Sequence, residues 1–187
     1  MDNTSKKLIK KLRLPEVRQV GIVVKDIDDA VAYYSKLGIR PWFQASFSDE
    51  EHIYRGKKAD YDVDIALAFS GQMQFELICP KEGDENTHMN HLKNKGEGIH
   101  HVGFFVPDIE RRLEGLRELG VGVIQSGYLK STGKAGGSHT AYAYLDTTAI
   151  GGVILELIQT KFIGVTIQMS RFWFELGALT GDVKKMA

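Results

Sequence analysis

The chain has 187 residues, 43% of them hydrophobic and 26% charged, and its 24 basic and 24 acidic side chains cancel to a formal net charge of zero. This length suits one domain or two small modules that share a core, and the charge balance argues against nucleic acid or an anionic membrane as a partner. The single cysteine, Cys79, excludes an intrachain disulfide and fits a reducing compartment, so we expect a cytoplasmic protein. The sequence predicts no secretory signal and no membrane-spanning segment, since no long apolar run is present.

The first half of the chain predicts one βαβββ module over residues 17–80, after a basic N-terminal extension, residues 1–16. Strands are expected at 19–24, 41–47, 62–70 and 72–79. After the first strand, apolar side chains recur at helical spacing from Ile27 to Leu37. Asp26 stands at the expected N-cap of this helix, and Gly38 stands where a left-handed residue would end it.

The second half predicts the same sequence of elements over residues 98–160, after a linker at 81–97. Its strands are expected at 101–106, 121–128, 139–145 and 152–159. A helix is predicted between the first two strands, with Asp108 as its N-cap and Gly120 after its end. Residues 161–187 form a C-terminal extension that is rich in aromatic side chains, which the domain or a partner chain must cover.

The two halves are copies of one pattern, related by a constant offset of 82 positions. The offset places Val20-Gly21 on Val102-Gly103, Asp26-Ile27 on Asp108-Ile109, and Leu37-Gly38 on Leu119-Gly120. The predicted fold class is therefore α+β, with two paired βαβββ modules. Packed edge to edge, they would form one curved sheet around a central cavity, with the helices outside.

Four polar side chains occupy equivalent places in the two copies. Gln19 and His101 stand at the first strands, and Glu76 and Glu156 stand on the last strands. Strand alternation places Glu156 between Ile154 and Ile158 on its own face, where an unpaired carboxylate would be costly. One imidazole, one amide oxygen and two carboxylates form a mixed nitrogen and oxygen set that suits Zn²⁺, Co²⁺, Ni²⁺, Mn²⁺ or Fe²⁺.

Each of these residues taken alone has a simpler interpretation. Gln19 could be a surface residue at a strand start, Glu76 could face solvent, and His101 could be a hydrogen-bonded core histidine. The repeat favours the metal interpretation because the predicted fold brings equivalent positions together.

The segments "GIHHVGFFVPDIE" (98–110) and "GGVILELIQ" (151–159) resemble the vicinal oxygen chelate superfamily, also called glyoxalase/bleomycin resistance/dioxygenase. Within it, they look most like the methylmalonyl-CoA epimerase family. The resemblance implies one divalent metal ion held by Gln19, Glu76, His101 and Glu156. Epimerases resemble a histidine, glutamine, histidine, glutamate order instead, whereas this set is similar to that of eukaryotic lactoylglutathione lyases. A second departure is Asp146-Thr147-Thr148, where epimerases tend to show a His-Pro-Lys segment.

The resemblance implies an enzyme that removes a proton from a carbon next to a carbonyl, with Glu76 and Glu156 as the catalytic carboxylates. The leading expectation is epimerisation of a short branched acyl-CoA. The alternatives are a lactoylglutathione lyase-like reaction on a thiol hemithioacetal and a non-catalytic small-molecule-binding protein of the same fold. A ring-cleaving dioxygenase ranks low, because Gln19 stands where the first histidine of its iron site would be. We expect a homodimer with a small-molecule substrate.

Three further features carry expectations. On ideal strand alternation, the side chain of His100 points away from the metal position. Two basic loops could meet substrate phosphates or could simply be solvated: Lys130 and Lys134 in one, and Arg55, Lys57 and Lys58 in the other. His139, at a strand start, is a weaker candidate for the cavity.

Overall fold

The computed structural model describes residues 2–45, 47, 49–133, 136–149 and 151–186. The first half contains α1 (Asn3–Lys11), β1 (Gln19–Val23), α2 (Ile27–Lys36), β2 (Phe43–Ala45), β3 (Asp49–Tyr54), β4 (Lys57–Ala59), β5 (Tyr61–Ser70) and β6 (Met73–Gly83). The second half contains α3 (Thr87–Lys95), β7 (Gly98–Phe105), α4 (Ile109–Glu118), β8 (Val123–Gly133), β9 (Gly136–Leu145), β10 (Ile154–Phe162), β11 (Val165–Ile167), α5 (Arg171–Thr180) and β12 (Lys184–Lys185). None of the helices in the described ranges is long and apolar enough to cross a membrane.

All the strands belong to one mixed sheet in the order β12-β2-β5-β6-β1-β7-β10-β9-β8-β3-β4, with β11 on β10. The two halves meet where β1 pairs antiparallel with β7. On either side of this junction, β1 is parallel to β6 and β7 is parallel to β10. The α+β class and the curved sheet made of two paired modules are therefore as predicted. The finer division into extensions, modules and a linker stays a prediction.

The alternation of the strands sends one face of the sheet to the helices and the other to the cavity. On the outer face, Ile27 and Val31 of α2 join a core cluster with Trp42 and Leu77. An equivalent cluster forms around Ile109 of α4. Burial of such side chains is the main favourable contribution to folding. Polar residues of the central strands are therefore left on the inner face.

Several predicted strand limits differ from the structure. The strand expected at 41–47 is shortened to β2, and its residue 46 lies outside the described residues. The β3–β4 hairpin follows it, and β3 pairs with β8 from the second half of the chain. Helices α1, α3 and α5 were not predicted either. A hairpin that is stabilised by a partner some 75 residues away, as Glu51 is opposite Tyr128, leaves little local pattern to detect.

The two predicted N-caps behave differently. The Asp26 carboxylate accepts a hydrogen bond from the Asp29 amide at 2.9 Å, as expected. Asp108 occupies the N-cap position of α4 but makes no capping hydrogen bond, so this part of the prediction was wrong. Its carboxylate accepts a hydrogen bond from Arg112 Nε at 2.7 Å instead. The Arg112 guanidinium thus takes the place of a backbone amide as the partner of this carboxylate.

The C-terminal extension folds back over the inner face of the sheet. It begins with β11, which pairs with β10, and ends with β12, which pairs with β2 at the far edge. Between these strands, the ring of Phe174 packs against Phe43 and Phe69, with centroids 5.6 and 5.5 Å away. Much of the aromatic surface of the extension is thus covered by the domain itself.

Candidate metal centre

Three of the four predicted ligands meet at the bottom of the inner face. The Nε2 atom of His101 lies 3.0 Å from Glu156 Oε2 and 3.3 Å from Glu76 Oε2. The potential ligand atoms of the three residues all lie within 4.8 Å of one another. The His101 side chain is fully buried, and those of Glu156 and Glu76 are only 6% and 13% exposed. His101 is therefore the partner that was expected for the buried Glu156 carboxylate.

Two glycines at equivalent positions make this arrangement possible. Gly21 on β1 lies directly between Glu76 on β6 and His101 on β7. A Cβ atom on Gly21 would stand 2.0 Å from Cε1 of His101, so the imidazole lies across the glycine. Gly103 on β7 likewise lies between Gln19 and Glu156, and a Cβ there would stand 2.4 Å from Gln19 Oε1. Each "Val-Gly" of the repeat thus leaves room for the polar side chain of the other copy.

Gln19, the fourth predicted ligand, lies on β1 opposite Gly103, which is two residues along β7 from His101. Its side chain is buried, and its Nε2 donates a hydrogen bond to Gln74 Oε1 at 2.8 Å. This bond directs the amide so that Gln19 Oε1 is left as a buried acceptor without a hydrogen-bond partner. Gln19 lines the same cavity as Glu76 and Glu156.

The donor set fits a divalent metal. His101 Nε2, Glu156 Oε2 and Gln19 Oε1 are all buried without a hydrogen bond of good geometry. His101 Nε2 nevertheless lies within ion-pair distance of both carboxylates, at 3.0 Å from Glu156 and 3.3 Å from Glu76. A buried polar atom left unpaired costs roughly 1–3 kcal/mol, and Gln19 Oε1 is such an atom, whereas His101 and Glu156 have each other as partners. A cation bound by nitrogen and oxygen donors would satisfy them together.

The charges of the site depend on one another. Burial by itself would lower the pKa of His101, but the neighbouring Glu156 and Glu76 carboxylates outweigh burial and raise it to about 10. Burial raises the pKa of Glu156, and the adjacent His101 offsets part of this rise. A proton on His101 would offset one of the two carboxylate charges when no metal is bound. Metal binding would release that proton, since imidazole binds metals in its neutral form.

His100 contacts the opposite side of the His101 ring. The pairing of β1 with β7 shifts its register between Gly21 and Ile22, which makes His100 the extra residue of a β-bulge. His100 Nδ1 lies 3.0 Å from His101 Nδ1, so one of the two nitrogens donates to the other. This contact orients the His101 ring so that its Nε2 atom faces the glutamates. A hydrogen-bond partner of a metal-binding histidine commonly orients the ring in this way. Burial lowers the pKa of His100, which keeps it neutral.

The glutamates open into a cavity of about 380 Å³. Its wall carries a polar cluster in which Tyr142 Oη lies 2.9 Å from His52 Nδ1 and 3.1 Å from Tyr61 Oη. Gln125 Nε2 donates to Tyr61 Oη at 2.7 Å. Sequence reasoning missed these residues. The alternation of strand 139–145 could have placed Tyr142 on the inner face, but nothing local shows that the hairpin carrying His52 crosses to this wall.

The predicted basic residues lie away from the cavity. Lys57 and Lys58 are exposed on β4, and Arg55, at the hairpin turn, donates from Nε to Tyr54 Oη at 3.0 Å. Lys130 lies on β8 opposite Asp49, and Lys134 falls outside the described residues. His139 is exposed on β9. None of the described members of this group lines the cavity.

The fold and the buried Glu-His-Glu group define a class of protein in which paired βαβββ modules enclose a small-molecule site. Comparison with family models gives the same class, since residues 18–142 match the model described as "Glyoxalase/Bleomycin resistance protein/Dioxygenase superfamily". The match covers more than half of the chain. The chain belongs to the glyoxalase/bleomycin resistance protein/dioxygenase superfamily.

Among individual proteins, the chain is 27% identical over 143 residues to "Uncharacterized protein YqjC" of Bacillus subtilis, covering 76% of this chain and 90% of the relative. It resembles the crystal structure of methylmalonyl-CoA epimerase from Mycobacterium tuberculosis with 25% identity and a TM-score of 0.53, covering 78% and 87% of the two chains. A methylmalonyl-CoA epimerase of Streptomyces coelicolor, in complex with 2-nitronate-propionyl-CoA, is 22% identical with a TM-score of 0.54, covering 78% and 97%.

Proposed function

We propose that this protein is a metal-dependent isomerase that moves a proton at a carbon next to a carbonyl group. The observation that carries the proposal is the placement of two carboxylates, from equivalent strands of the two modules, on either side of one imidazole nitrogen at the bottom of a largely apolar cavity. Two such carboxylates supply an acid and a base for the same carbon atom.

The roles follow from the positions. Glu76 and Glu156 both line the cavity, on strands separated by β1 and β7. A substrate carbon held between them would lose its proton to one carboxylate and receive a proton from the other. Return to the opposite face inverts the carbon. His101, Gln19 and whichever glutamate is not exchanging a proton would hold the metal, and Glu76, with the more exposed carboxylate, is our choice for the base.

The reaction requires stabilisation of the enolate, because a C–H group next to a carbonyl is a weak acid. A divalent metal bound here would act as a Lewis acid on the carbonyl oxygen, which stabilises the negative charge of the enolate. The protein itself supplies a dry site, because His101 and Glu156 are almost completely shielded from solvent. Electrostatic interactions are stronger in such surroundings than in water.

Two specific reactions belong to this class. Epimerisation of a short branched acyl-CoA is supported by the likeness to the methylmalonyl-CoA epimerases of Mycobacterium tuberculosis and Streptomyces coelicolor. A 1,2-proton shift on a thiol hemithioacetal is supported by the two-carboxylate set, which is similar to that of lactoylglutathione lyases. A requirement for a thiol cosubstrate would separate the second reaction from the first.

The metal is tested by elemental analysis of the purified protein. We expect close to one divalent ion per chain in the wild type, and its loss in His101→Ala and Glu156→Ala. Gln19→Ala should retain less metal than the wild type, because a neutral amide oxygen is a weaker ligand than a carboxylate. Glu118→Ala, which removes an exposed glutamate on α4, is the matched control and should bind metal normally. No metal in the wild type after reconstitution would overturn the proposal.

The reaction is tested by exchange of the substrate α-proton with D₂O, followed by NMR. Methylmalonyl-CoA and the hemithioacetal of methylglyoxal with glutathione represent the two candidate reactions. We expect Glu76→Gln to lower exchange by a factor of about 10²–10⁴, as is typical for loss of a general base. Unchanged exchange in Glu76→Gln would assign the base to another residue, and absence of exchange in the metal-loaded wild type with a substrate that binds would reject the isomerase.

A further inference from the structure

We propose that the C-terminal segment 165–185, here called the roof, closes the cavity and restricts it to a compact, uncharged substrate with an apolar body. This inference rests on the proposed function for the identity of the reacting group. The substrate inferred here differs from an acyl-CoA, because the nucleotide part of coenzyme A carries charged phosphates. The family match ends at residue 142, so the roof lies outside the part of the chain that the superfamily model describes.

The roof is anchored at both ends. Its start, β11, pairs with β10, the strand that carries Glu156. Its end, β12, pairs with β2 at the opposite edge, and the Met186 amide donates to the Trp42 carbonyl oxygen at 2.8 Å. Helix α5 lies between these attachments. The roof therefore spans the cavity from one module to the other and is a built part of the fold.

The roof presents mainly apolar groups to the cavity. The lining residues of α5 and the turn after it are Trp173, Phe174, Leu176, Gly177, Thr180 and Val183. Trp173 also packs against Phe162 of β10, with ring centroids 5.8 Å apart. Phe174 packs in one cluster with Ile65 and Leu67 of β5, which also line the cavity. These surfaces suit the apolar body of a ligand, because such contacts remove apolar area from water.

The charges around the cavity disfavour an anion. Its acidic lining residues are Glu76, Glu156 and Asp182, whereas no Lys or Arg side chain in the described ranges lines it. Many of the other polar lining groups are neutral hydroxyls that bond to each other, with Ser131 Oγ 2.6 Å from Ser138 Oγ and Thr140 Oγ1 2.9 Å from Thr160 Oγ1. Burial of an anion without a cationic partner is costly. A bound divalent ion would offset little more than the two glutamates.

The size of the cavity agrees with a compact ligand. Its volume of about 380 Å³ is near the lower end of the roughly 300–1,000 Å³ found for small-molecule sites. Such a space suits the reacting end of a thioester or ketone, and an attached nucleotide would have to lie outside it. The combination of a roof, apolar walls and acidic lining thus points to an uncharged carbonyl compound.

Three probes with one skeleton separate charge from size. Methylmalonyl-CoA has the nucleotide and a carboxylate, the S-ethyl thioester of methylmalonic acid has only the carboxylate, and the O-methyl ester of that thioester is uncharged. Binding to the metal-loaded protein is measured by calorimetry, and α-proton exchange in D₂O by NMR. The inference expects the uncharged ester to bind at least about tenfold more tightly than the carboxylate, given the cost of burying an unpaired charge.

The outcomes distinguish the two proposals. Equal or tighter binding of methylmalonyl-CoA or of the carboxylate probe would overturn the inference, and their exchange would still uphold the isomerase. Binding of the ester without exchange of any probe would uphold the ligand class and reject epimerisation, and the hemithioacetal assay would then decide the isomerase. Failure of the ester to bind would overturn the inference.

Roof variants test the assigned position of the ligand. Trp173→Ala should weaken binding of the ester about tenfold, as expected for loss of a large apolar contact. Leu179→Ala is the matched control, because Leu179 also lies on α5, is 85% exposed and does not line the cavity. It should change binding by less than about twofold, as surface substitutions commonly do. Equal effects of the two substitutions would overturn the role of the roof.

A charge introduced into the roof gives a second, independent test. Leu176 lines the cavity and is 39% exposed, so a lysine fits there without burial of its ammonium group. Leu176→Lys should shift the preference toward the carboxylate probe while metal content stays at one ion per chain. An unchanged ratio between the ester and the carboxylate would show that the roof does not face the ligand, and the inference would fall.

Discussion

Gly21 and Gly103 show how single residues shape this site. Each occupies the second place of the repeated "Val-Gly" and lies between two of the polar side chains. The backbone of a glycine leaves the volume of a side chain free, and the His101 imidazole and the Gln19 amide fill that volume. Each glycine therefore makes room for a candidate ligand from the other module. This shared requirement explains why the same dipeptide recurs in both modules.

Substitution of Gly21 by alanine should displace the His101 ring, because the new Cβ would stand 2.0 Å from Cε1. We expect a loss of metal binding and a decrease of about 2 kcal/mol or more in the free energy of unfolding, as for other overpacked sites. Urea denaturation and elemental analysis measure the two effects. Gly122→Ala is the control, since its Cβ would meet only Asp146 Cβ at 3.8 Å and the change should stay within about 1 kcal/mol. A Gly21→Ala protein with normal metal content would contradict the assigned geometry.

The buried position of His88 predicts that the free energy of unfolding decreases at acid pH. It is buried against Tyr144, with Nε2 3.1 Å from the Tyr144 hydroxyl oxygen, and burial lowers its pKa from 6.5 to about 3. Between these values the unfolded chain binds a proton that the folded chain does not, so stability falls as pH decreases from 6.5 toward 3. The share of His88 in this loss amounts to about 2 kcal/mol at pH 5.

The pH effect is measured by urea denaturation at pH 7 and pH 5. His88→Gln should lose less stability between the two pH values than the wild type does. The control is His139→Gln, which alters an exposed histidine on β9 and should keep the wild-type difference. Equal pH differences in His88→Gln and wild type would show that His88 is not held neutral by burial.

At the scale of elements, the two helices that follow the first strands of the modules are equivalent but differ in their caps. The Asp26 side chain bonds to the Asp29 amide at the start of α2, whereas the Asp108 side chain bonds to Arg112 at the start of α4. Both positions read Val-x-Asp-Ile in the sequence, at 24–27 and 106–109. The difference depends on which donor lies one turn further along the helix.

Alanine at these two positions should have unequal effects. Asp26→Ala removes a capping bond and should lower the free energy of unfolding by about 1 kcal/mol. Asp108→Ala removes a partly exposed ion pair with Arg112 and should cost less than about 0.5 kcal/mol. Thermal and urea denaturation of the two variants measures the difference. A larger loss in Asp108→Ala would contradict the hydrogen bonding described for α4.

At the scale of the whole molecule, the candidate metal centre links the two modules. Glu76 belongs to the first module and His101 and Glu156 to the second, and the junction of β1 with β7 lies beside them. A metal held by ligands of both modules would bind only to the assembled sheet. Its binding free energy would then add to the stability of the fold.

Addition of Zn²⁺ or Co²⁺ to the metal-free protein should therefore raise its melting temperature. At a free metal concentration of about 1,000 times Kd, the expected gain is about 4 kcal/mol, or roughly 10 °C for a chain of this size. Differential scanning calorimetry measures the shift. His101→Ala should show none, and an equal rise in this variant would place the metal elsewhere on the protein.

The sequence by itself determined the repeat, the α+β class and the inner-face positions of Glu76, His101 and Glu156. These features depend on local periodicity, because the alternation along a strand and the spacing along a helix are properties of neighbouring residues. Equivalent positions in two copies then identified the residues that converge. The need for a partner of Glu156 followed from the cost of leaving its carboxylate unpaired, and the structure identified that partner as His101.

Only the tertiary structure decided the bulge at His100, the position of His52 on the far wall, and the path of the roof. The bulge depends on the register of β1 against β7, and the hairpin and roof depend on pairing with β8, β10 and β2. Such contacts join residues that are distant in the chain, and their energy is absent from any short window of sequence. The side chains of Trp173 and Phe174 are apolar in the sequence, and only the fold makes them part of the cavity.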